Sequence, residues 1–492
     1  MTALRLDARR TLRLEARFPG LRQSFDPDVM GKLLQQSLIG DRGDYVIEEC
    51  VPGKAYVDVD ECLLRYAVRM SDTATGQTHS AMVTGRLFSN ADACAAFFDE
   101  RLQPVAGFAE GRPEIAGFDT PVAVFEGLQL AVHAYPIDPD LPSLIDATDP
   151  TCMTDIIERL IPSSLDEELE VRGCRIVVAH YPRRHRCVLR YEVNGRRRGS
   201  DASVLVFGKV SSTGEPALDR TVLEDLGREM DVGQAGIRVP RHVGHVPHLD
   251  LVLIEGIPGS PVIVPMLKTR AGGDRENDSH SLERAVEAAG VVAAEVHRCR
   301  IRVGRRRRLK DELAELQAEL AALGRVIPEE MAPLDELFSE VGKAGQGVEQ
   351  VRLVFSHGDF TPSQILFNGA EVGLIDFDNL GEAEPELDLG QFCAYLSAAA
   401  LKSELSSGVT EGLGPRLRRR FLEAYAEASG MSNSEEFQLR VRIYEQVSLL
   451  RMAIRGWRQL KPARASLALK VLEGTRGGDS IVPGAADKVP PE

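Results

Sequence analysis

The first half of the chain repeats one order of hydrophobic and polar positions. Each repeat opens with an Asp-Pro pair and a helical stretch, continues with strands of alternating apolar residues, and has a third strand that ends in glycine and a basic residue. The matching positions are Asp26 and Asp149, Cys62 and Cys187, and Gly85 and Gly208. Their separations are 123, 125 and 123 residues, in the same order along the chain. The pattern predicts a duplicated unit of about 120 residues.

Each repeat is predicted to be a small α+β unit, because mostly antiparallel strands alternate with packed helices. We assign the first copy to residues 18–140 and the second copy to residues 141–256. The copies differ where the third strand ends, since the first has Arg86 and the second has Lys209. We expect the two sheets to superpose strand for strand. We also expect the first copy to pack on the second, which gives a linear arrangement of the three units.

The remainder of the chain is predicted to be mainly helical. Residues 257–476 form this unit, in which 282–301 has the pattern of a helix and the polar, glycine-bearing stretch 270–281 has that of a loop. The four arginines at 305–308 favour a solvated approach to the next helix, with phosphate binding as the alternative. The composition of residues 477–492 predicts a disordered tail.

Composition narrows the classes of function. The formal net charge of −15 argues against a nucleic-acid partner. The 8 cysteines are scattered without a CxxC pair, as in a protein of the reducing cytosol, so we expect a cytoplasmic protein. The sequence has no run of 18 apolar residues, so we expect no membrane span. Residues 1–17 have the pattern of a solvated helical extension, with a targeting peptide as the alternative.

The candidate chemistry lies in residues 351–393. Two strand-like runs each end in a carboxylate, Asp359 and Asp376, and the amide of Gln364 follows Asp359 by five residues. Phosphoryl transfer uses one carboxylate to orient the acceptor hydroxyl, and a second carboxylate with an amide oxygen to hold Mg²⁺ at the phosphates. We therefore predict Asp359 as the catalytic base, and Asp376 with Gln364 as the Mg²⁺ ligands.

Three short motifs in this stretch resemble those of the aminoglycoside phosphotransferase and choline-kinase-like family. His357-Gly358-Asp359 is similar to the start of that family's catalytic loop, HGDxxxxN, and Ile375-Asp376-Phe377 is similar to its metal-binding triplet. Asp388-Leu389-Gly390 resembles a third motif, whose Asp is expected to brace the catalytic loop. Gln364 stands where the family has Asn. The resemblance implies a protein-kinase-like bilobal fold, here with a duplicated N-terminal lobe and a mainly helical C-terminal lobe.

The resemblance covers roughly residues 170–475 and implies that the second copy is the nucleotide-binding lobe. Lys209 would pair the α- and β-phosphates of ATP, and Glu224, with Glu229 as second choice, would be its partner. Glu255 and Gly256 match the hinge, whose backbone would meet the adenine. The turn at residues 181–186 stands where a glycine-rich phosphate loop would, so its arginines either replace backbone donors or form a surface turn.

Two further groups of residues invite a functional interpretation. His242, His245 and His248 are spaced as HxxHxxH, and we favour packed or solvated histidines over a metal site because no cysteine or carboxylate accompanies them. Three glutamates at 382, 384 and 386 are expected to be solvated, with attraction of a cationic acceptor as the alternative.

The leading hypothesis is an ATP- and Mg²⁺-dependent phosphotransferase. Its acceptor would be a hydroxyl of a small molecule such as a sugar, an amino sugar or a similar metabolite. The alternative is a catalytically weak or inactive pseudokinase that acts as a nucleotide-binding regulatory scaffold, which Gln364 and the glycine-free turn favour. A regulatory role of the first copy is compatible with both. The sequence leaves the acceptor and the oligomeric state open.

Overall fold

The structure, a computed structural model, describes most of the chain. The described ranges are 8–40, 44–165, 168–183, 185–212, 220–232, 236–269, 276–346, 351–408 and 412–476. The tail predicted from residue 477 lies outside them.

The first repeat is a five-stranded antiparallel sheet with short helices before it and within it. Its elements are α1 (Ala8–Arg17), α2 (Leu21–Ser24), α3 (Pro27–Leu34), β1 (Tyr45–Val57), β2 (Glu61–Asp72), β3 (Thr78–Phe88), α4 (Ala91–Ala96), α5 (Gln103–Ala106), β4 (Val122–Phe125) and β5 (Leu130–Ala134). Asp26 caps α3, because its carboxylate accepts hydrogen bonds from the backbone N–H groups of Asp28 and Val29. The strand order is β1-β2-β3-β5-β4.

The second repeat has the same design. Its elements are α6 (Leu144–Ala147), α7 (Pro150–Ser164), β6 (Leu169–Arg183), β7 (Arg186–Arg197), β8 (Ser200–Ser211), α8 (Arg220–Val232), β9 (Ile237–Arg238), β10 (His242–Val246) and β11 (Leu251–Glu255). Asp149 caps α7 through the N–H groups of Thr151 and Cys152, as Asp26 caps α3. The strand order is β6-β7-β8-β11-β10, with β9 in a separate small sheet.

Equivalent contacts inside the two sheets match residue by residue. The hydroxyl of Tyr66 on β2 donates to the backbone oxygen of Ser24 at 2.9 Å. The hydroxyl of Tyr191 on β7 donates to the backbone oxygen of Ala147 at 2.8 Å. Because strand order, helix caps and these buried hydrogen bonds coincide, the predicted duplication is confirmed.

The C-terminal unit is mainly helical. Its elements are α9 (Ile263–Thr269), α10 (Glu276–Arg298), β12 (Arg306–Arg307), α11 (Leu309–Gly324), α12 (Pro328–Gln346), β13 (Val354–Ser356), β14 (Ile365–Asn368), β15 (Glu371–Leu374), β16 (Gly381–Ala383), α13 (Glu386–Ser407), α14 (Leu413–Ser429), α15 (Glu435–Arg458) and α16 (Pro462–Arg476). Two three-stranded sheets, β12-β16-β13 and β14-β15-β9, support the loops of the candidate site. The last six residues of the predicted loop, 276–281, instead begin α10.

The first repeat packs against the helical unit as well as against the second repeat. Its buried core is continuous with apolar side chains of α11, α12, α15 and α16. At the edge of this contact, Arg458 on α15 donates to the hydroxyl of Tyr56 on β1 at 3.1 Å. The prediction of a linear arrangement is therefore wrong. The helical unit has apolar side chains that its own helices do not cover, and the first repeat covers them.

Helix α1 is part of this packing. Leu14 on α1 is buried within the same core, and Arg13 pairs with Glu329 at the start of α12. The interpretation of residues 1–17 as a solvated extension is therefore wrong for the described part from residue 8 onward. Within the described ranges, every helix is too short or too polar to cross a lipid bilayer.

Candidate active site

The catalytic loop follows β13, and its backbone requires a glycine. Gly358 has φ +77°, and a Cβ atom there would lie 2.1 Å from the backbone oxygen of Asn379. No L side chain fits this combination of conformation and contact. The loop therefore lies directly against the turn that follows Asp376.

Asp388, in the first turn of α13, holds the catalytic loop. Its two carboxylate oxygens accept hydrogen bonds from the backbone N–H groups of His357 and Gly358, each at 2.8 Å. His297 on α10 donates its Nε2 to the same carboxylate at 3.2 Å. Asp388 is fully buried, and burial alone raises the pKa of a carboxyl group, but the hydrogen bonds from His297 and from the backbone N–H of Gly358 hold the pKa of Asp388 below its ordinary value. The catalytic loop is therefore held by the charged form of Asp388.

Arg307 supports the loop from the other side. It is buried, its Nη1 lies 3.4 Å from the backbone oxygen of Gly358, and its Nη2 pairs with Glu312 on α11 at 2.5 Å. The expectation that the arginines at 305–308 form a solvated approach is wrong for this residue, because a neighbouring helix supplies a buried carboxylate for it. Sequence reasoning missed Arg307, since that carboxylate becomes apparent only when α11 is folded against the loop.

The three glutamates after the metal segment are also paired within the protein. Each meets an arginine at ion-pair distance, between 2.7 and 3.3 Å. The pairs are Glu382 with Arg306, Glu384 with Arg308 and Glu386 with Arg440. The expectation that these carboxylates are solvated is wrong, and their pairing gives no support to a role in attracting a cationic acceptor.

Asp359 is partly buried beside the amide of Gln391. Its Oδ1 accepts a hydrogen bond from Nε2 of Gln391 on α13 at 2.7 Å. Burial raises the pKa of Asp359, and the negative charge of Asp376 raises it further, against the opposing effects of His357 and Arg455. A carboxylate with a raised pKa is a stronger proton acceptor, as a general base requires.

The predicted metal ligands lie side by side. Asp376 has φ +72°, and this left-handed conformation directs the chain into the turn Phe377–Asn379. The Nε2 atom of Gln364 donates to Oδ2 of Asp376 at 3.2 Å. The structure thus brings Gln364 and Asp376 together, and rotation of the amide by 180° would turn the oxygen of Gln364 toward the same point.

Lys209 reaches this segment from the second repeat. Its Nζ lies 2.9 Å from Oδ1 of Asp376 and 2.8 Å from Oδ1 of Asp378. Burial acts to raise the pKa of both carboxyl groups, but the charge of Lys209 and its hydrogen bond hold the pKa of Asp376 below its ordinary value. Burial together with the charge of Asp376 raises the pKa of Asp378. The sequence Asp376-Phe377-Asp378 indicates a second carboxylate near the first, but Asp378 was given no role in the sequence analysis.

The oxygen donors fit Mg²⁺ that arrives with a nucleotide. Mg²⁺ prefers carboxylate and amide oxygens, and it is commonly held by one or two carboxylates together with substrate phosphates. Asp376, Asp378 and Gln364 supply such donors. Among the described residues, no group of three or more His, Cys, Asp or Glu side chains is arranged to hold a metal by itself. Of the three spaced histidines, His245 and His248 are exposed and His242 is partly buried.

Arg186 enters the site from the turn between β6 and β7. Its Nη1 lies 2.5 Å from Oδ2 of Asp378. One arginine of the turn therefore lies at the carboxylates, in line with the idea that arginine side chains replace backbone donors there. The side chains of residues 182–184 lie outside the described part of the chain.

Other predicted binding residues are not at the site. Glu224 pairs with Arg220, one turn earlier on α8, at 2.6 Å, and Glu229 accepts a hydrogen bond from the backbone of Arg300 at 2.9 Å. The structure does not bring either glutamate to Lys209. Two aspartates balance the charge of Lys209, and Arg220 balances that of Glu224.

The predicted hinge is likewise engaged within the protein. The carboxylate of Glu255 pairs with Arg238 at 2.8 Å and Arg241 at 3.0 Å. The backbone N–H of Gly256 donates to the oxygen of Leu205 at 2.8 Å, so that donor is not free for an adenine. In this structure the hinge prediction receives no support from these two groups.

The first repeat keeps its own basic residue in an equivalent position. Arg86 pairs with Leu63 and Ala131 across the sheet, as Lys209 pairs with Val188 and Val252. The guanidinium of Arg86 is buried and contacts Asp140, with Asp138 at 3.9 Å. Two aspartates spaced two residues apart therefore balance the basic residue in both copies.

Comparison with known proteins agrees with the motifs. Residues 218–437 match the sequence model of a family described as the phosphotransferase enzyme family. The match confirms the resemblance drawn from the three motifs. Among curated proteins, none matches the chain.

Several solved structures are similar to the chain. A choline kinase from Cryptosporidium parvum Iowa II is 12% identical, with a TM-score of 0.45, over 66% of this chain and 95% of its own. A choline/ethanolamine kinase family protein from Mesorhizobium loti is 16% identical, with a TM-score of 0.40, over 66% and 96%. A glucosamine kinase is 12% identical, with a TM-score of 0.43, over 87% and 91%. Because all three TM-scores lie below 0.5, this likeness by itself assigns no substrate.

Proposed function

We propose, with the phosphotransferase-family match of residues 218–437 as the premise, that the protein is an ATP-dependent phosphotransferase. It would transfer the γ-phosphate of ATP to a hydroxyl of a small molecule such as a sugar, an amino sugar or a similar metabolite. One observation carries the proposal. Lys209 of the second repeat lies within 3 Å of both Asp376 and Asp378 of the helical unit, and Asp359 is close enough for the charge of Asp376 to raise its pKa.

The residues divide the chemistry among them. Asp359 would orient the acceptor hydroxyl and take its proton. Asp376, Asp378 and Gln364 would hold Mg²⁺, which neutralises charge on the phosphates. Lys209 and Arg186, whose charges the two aspartates now balance, would bind the phosphates.

Arg455 on α15 lies close enough to Asp359 for each group to shift the pKa of the other. Burial acts to lower the pKa of Arg455 on α15, but the neighbouring Tyr395, Glu319 and Asp359 raise it. Among the described residues, no carboxylate lies within 4.0 Å of this guanidinium. A donor such as Arg455 near an acceptor such as Asp359 would suit a molecule with several hydroxyls, since each hydroxyl both donates and accepts.

A transfer assay tests the proposal. The protein would be incubated with γ-labelled ATP, with and without Mg²⁺, and with a panel of neutral sugars, amino sugars, aminoglycosides and choline. We expect Mg²⁺-dependent label in at least one hydroxyl compound, above ATP hydrolysis without acceptor. Nucleotide binding without transfer to any compound of the panel would instead favour the nucleotide-binding scaffold.

A further inference from the structure

The two repeats meet at a contact between Arg65 and Tyr181. The guanidinium carbon of Arg65 on β2 lies 3.3 Å from the centre of the Tyr181 ring. Arg65 also donates a hydrogen bond to the backbone oxygen of Tyr181. The hydroxyl of Tyr181 in turn donates to Asp138, which belongs to the first repeat. Tyr181 is thus held at its ring, its backbone and its hydroxyl by one neighbouring unit.

Holding Arg65 there has a free-energy cost. Its Nε and Nη2 atoms are buried without a hydrogen-bond partner among the described residues. Burial also lowers the pKa of Arg65, which means that the charged form is disfavoured at this position. The stacked cation–π contact with Tyr181 offsets part of this cost. Buried donors without partners are uncommon, and they call for an explanation beyond packing.

Tyr181 lies where it can influence the site. It is near the end of β6, and Arg186, five residues later, begins β7 and reaches Asp378. The turn between them is fixed at its far side, because the backbone N–H of Ser212 donates to the oxygen of His185 at 3.0 Å. On its other side Arg186 pairs with Arg183 of β6, two residues after Tyr181, so a shift of Tyr181 would act on the register partner of Arg186.

The duplication supplies an internal comparison. Arg190 occupies the position in β7 that Arg65 occupies in β2, three residues after the matching cysteine. Arg190 pairs with Glu192, two residues further on, and 41% of its side chain is exposed. The clamp on Tyr181 therefore belongs to the first repeat alone and is not a general feature of the repeated fold.

We propose that Arg65 is a positioning residue of the candidate site. By holding Tyr181, the first repeat places Arg186 at Asp378 and so sets the affinity of the site for the phosphates of a nucleotide. This inference rests on the proposed function in one respect, namely that nucleotide phosphates bind at Arg186 and Lys209. It assigns the first repeat a part in nucleotide binding, although none of that repeat's described side chains belongs to the site itself.

The test measures MgATP affinity by titration calorimetry on the full-length chain. We expect Arg65→Met to weaken MgATP binding about tenfold, since a tenfold change corresponds to about 1.4 kcal/mol of lost positioning. Arg190→Met is the matched control and is expected to leave the affinity unchanged. In a transfer assay, Arg65→Met should raise the KM for ATP and leave the KM for the acceptor unchanged, a split that a general loss of stability would not produce.

A double-mutant cycle shows whether Arg65 acts through Arg186. We expect the loss of affinity in Arg65→Met with Arg186→Met to be close to that of Arg186→Met alone, because neighbours that act in series are not additive. Additive losses, or unchanged MgATP affinity in Arg65→Met, would overturn the inference.

If Arg65→Met lowers the midpoint of thermal unfolding, Arg65→Lys keeps the charge over the ring and should recover most of the affinity. Failure of this rescue in a folded variant counts against the inference as well. A protein that binds MgATP but transfers no phosphate would refute the proposed reaction and leave this measurement intact. A wild-type chain that binds no MgATP would refute both.

Discussion

At Asp359, burial and the charge of Asp376 raise the pKa of the carboxyl group, so the folded protein disfavours the charged form that a base needs. An acid whose pKa is raised on folding binds its proton more tightly in the folded state, and at neutral pH its charge reduces the free energy of unfolding. We expect Asp359→Asn to lower kcat by roughly 10²–10⁴, the range of a positioned base. The same variant should unfold at the wild-type temperature or above it. Retained turnover in the transfer assay, or a lower unfolding midpoint by calorimetry, would contradict this role.

Lys209 and Arg86 form a matched pair of basic residues, one in each repeat. We expect Lys209→Met to weaken MgATP binding at least tenfold, because it removes a positive charge from the proposed phosphate site. Arg86→Met removes the partner of buried aspartates in the first repeat, so we expect a loss of about 3–5 kcal/mol in the free energy of unfolding. Its MgATP affinity, measured by calorimetry on the folded fraction, should stay near that of the wild type. Equal losses of affinity in the two variants would indicate that both repeats bind nucleotide.

Among the elements, α13 and the catalytic loop are joined by the carboxylate of Asp388. We expect Asp388→Asn to reduce the free energy of unfolding by about 1–3 kcal/mol at pH 7, since a buried hydrogen bond to charge is lost. The pKa of Asp388 is lowered on folding, so its contribution is present above the ordinary value of 3.8 and is lost as the pH falls through the folded value. Denaturant titrations should therefore show the difference between variant and wild type shrinking on acidification. A difference that grows on acidification would contradict the assignment.

The site was predictable where its residues are close in sequence. Asp359, Gln364 and Asp376 lie within 18 positions of each other, and the sequence pattern places each aspartate directly after a strand-like run. Glu224 pairs with Arg220 and not with Lys209, because a helix offers each glutamate a partner on its own surface before any distant lysine.

Contacts between distant elements could not be predicted from the sequence, for a different reason. The clamp of Arg65 on Tyr181 joins residues 116 positions apart, on strands whose pattern records only which face is buried. Alternation along β2 and β6 could predict the sheets themselves. It could not predict how one sheet is placed against the other.

For the whole molecule, the shared core implies that the first repeat stabilises the helical unit. Removing residues 1–140 would expose the apolar sides of α11, α12, α15 and α16 that now belong to one continuous core. We expect the shortened chain to unfold at a markedly lower temperature than the full chain and to aggregate, because large exposed apolar patches favour association. Thermal unfolding and size-exclusion chromatography of both chains measure this. A shortened chain that is monomeric, with the midpoint of the full chain, would contradict the shared core.

The two aspartate pairs also differ in how long after their basic partners they are synthesised. Arg86 meets Asp138 and Asp140, which directly follow its own sheet, so the first repeat contains its counter-charge once residue 140 has been synthesised. Lys209 meets Asp376 and Asp378, which lie more than 160 residues further along. At about 5–20 residues per second, that interval is roughly 8–34 s. During synthesis the second repeat therefore has a lysine without its counter-charge for many seconds. The first repeat, in contrast, can form its ion pairs early, so the surface that contacts Tyr181 can be folded before Tyr181 is synthesised.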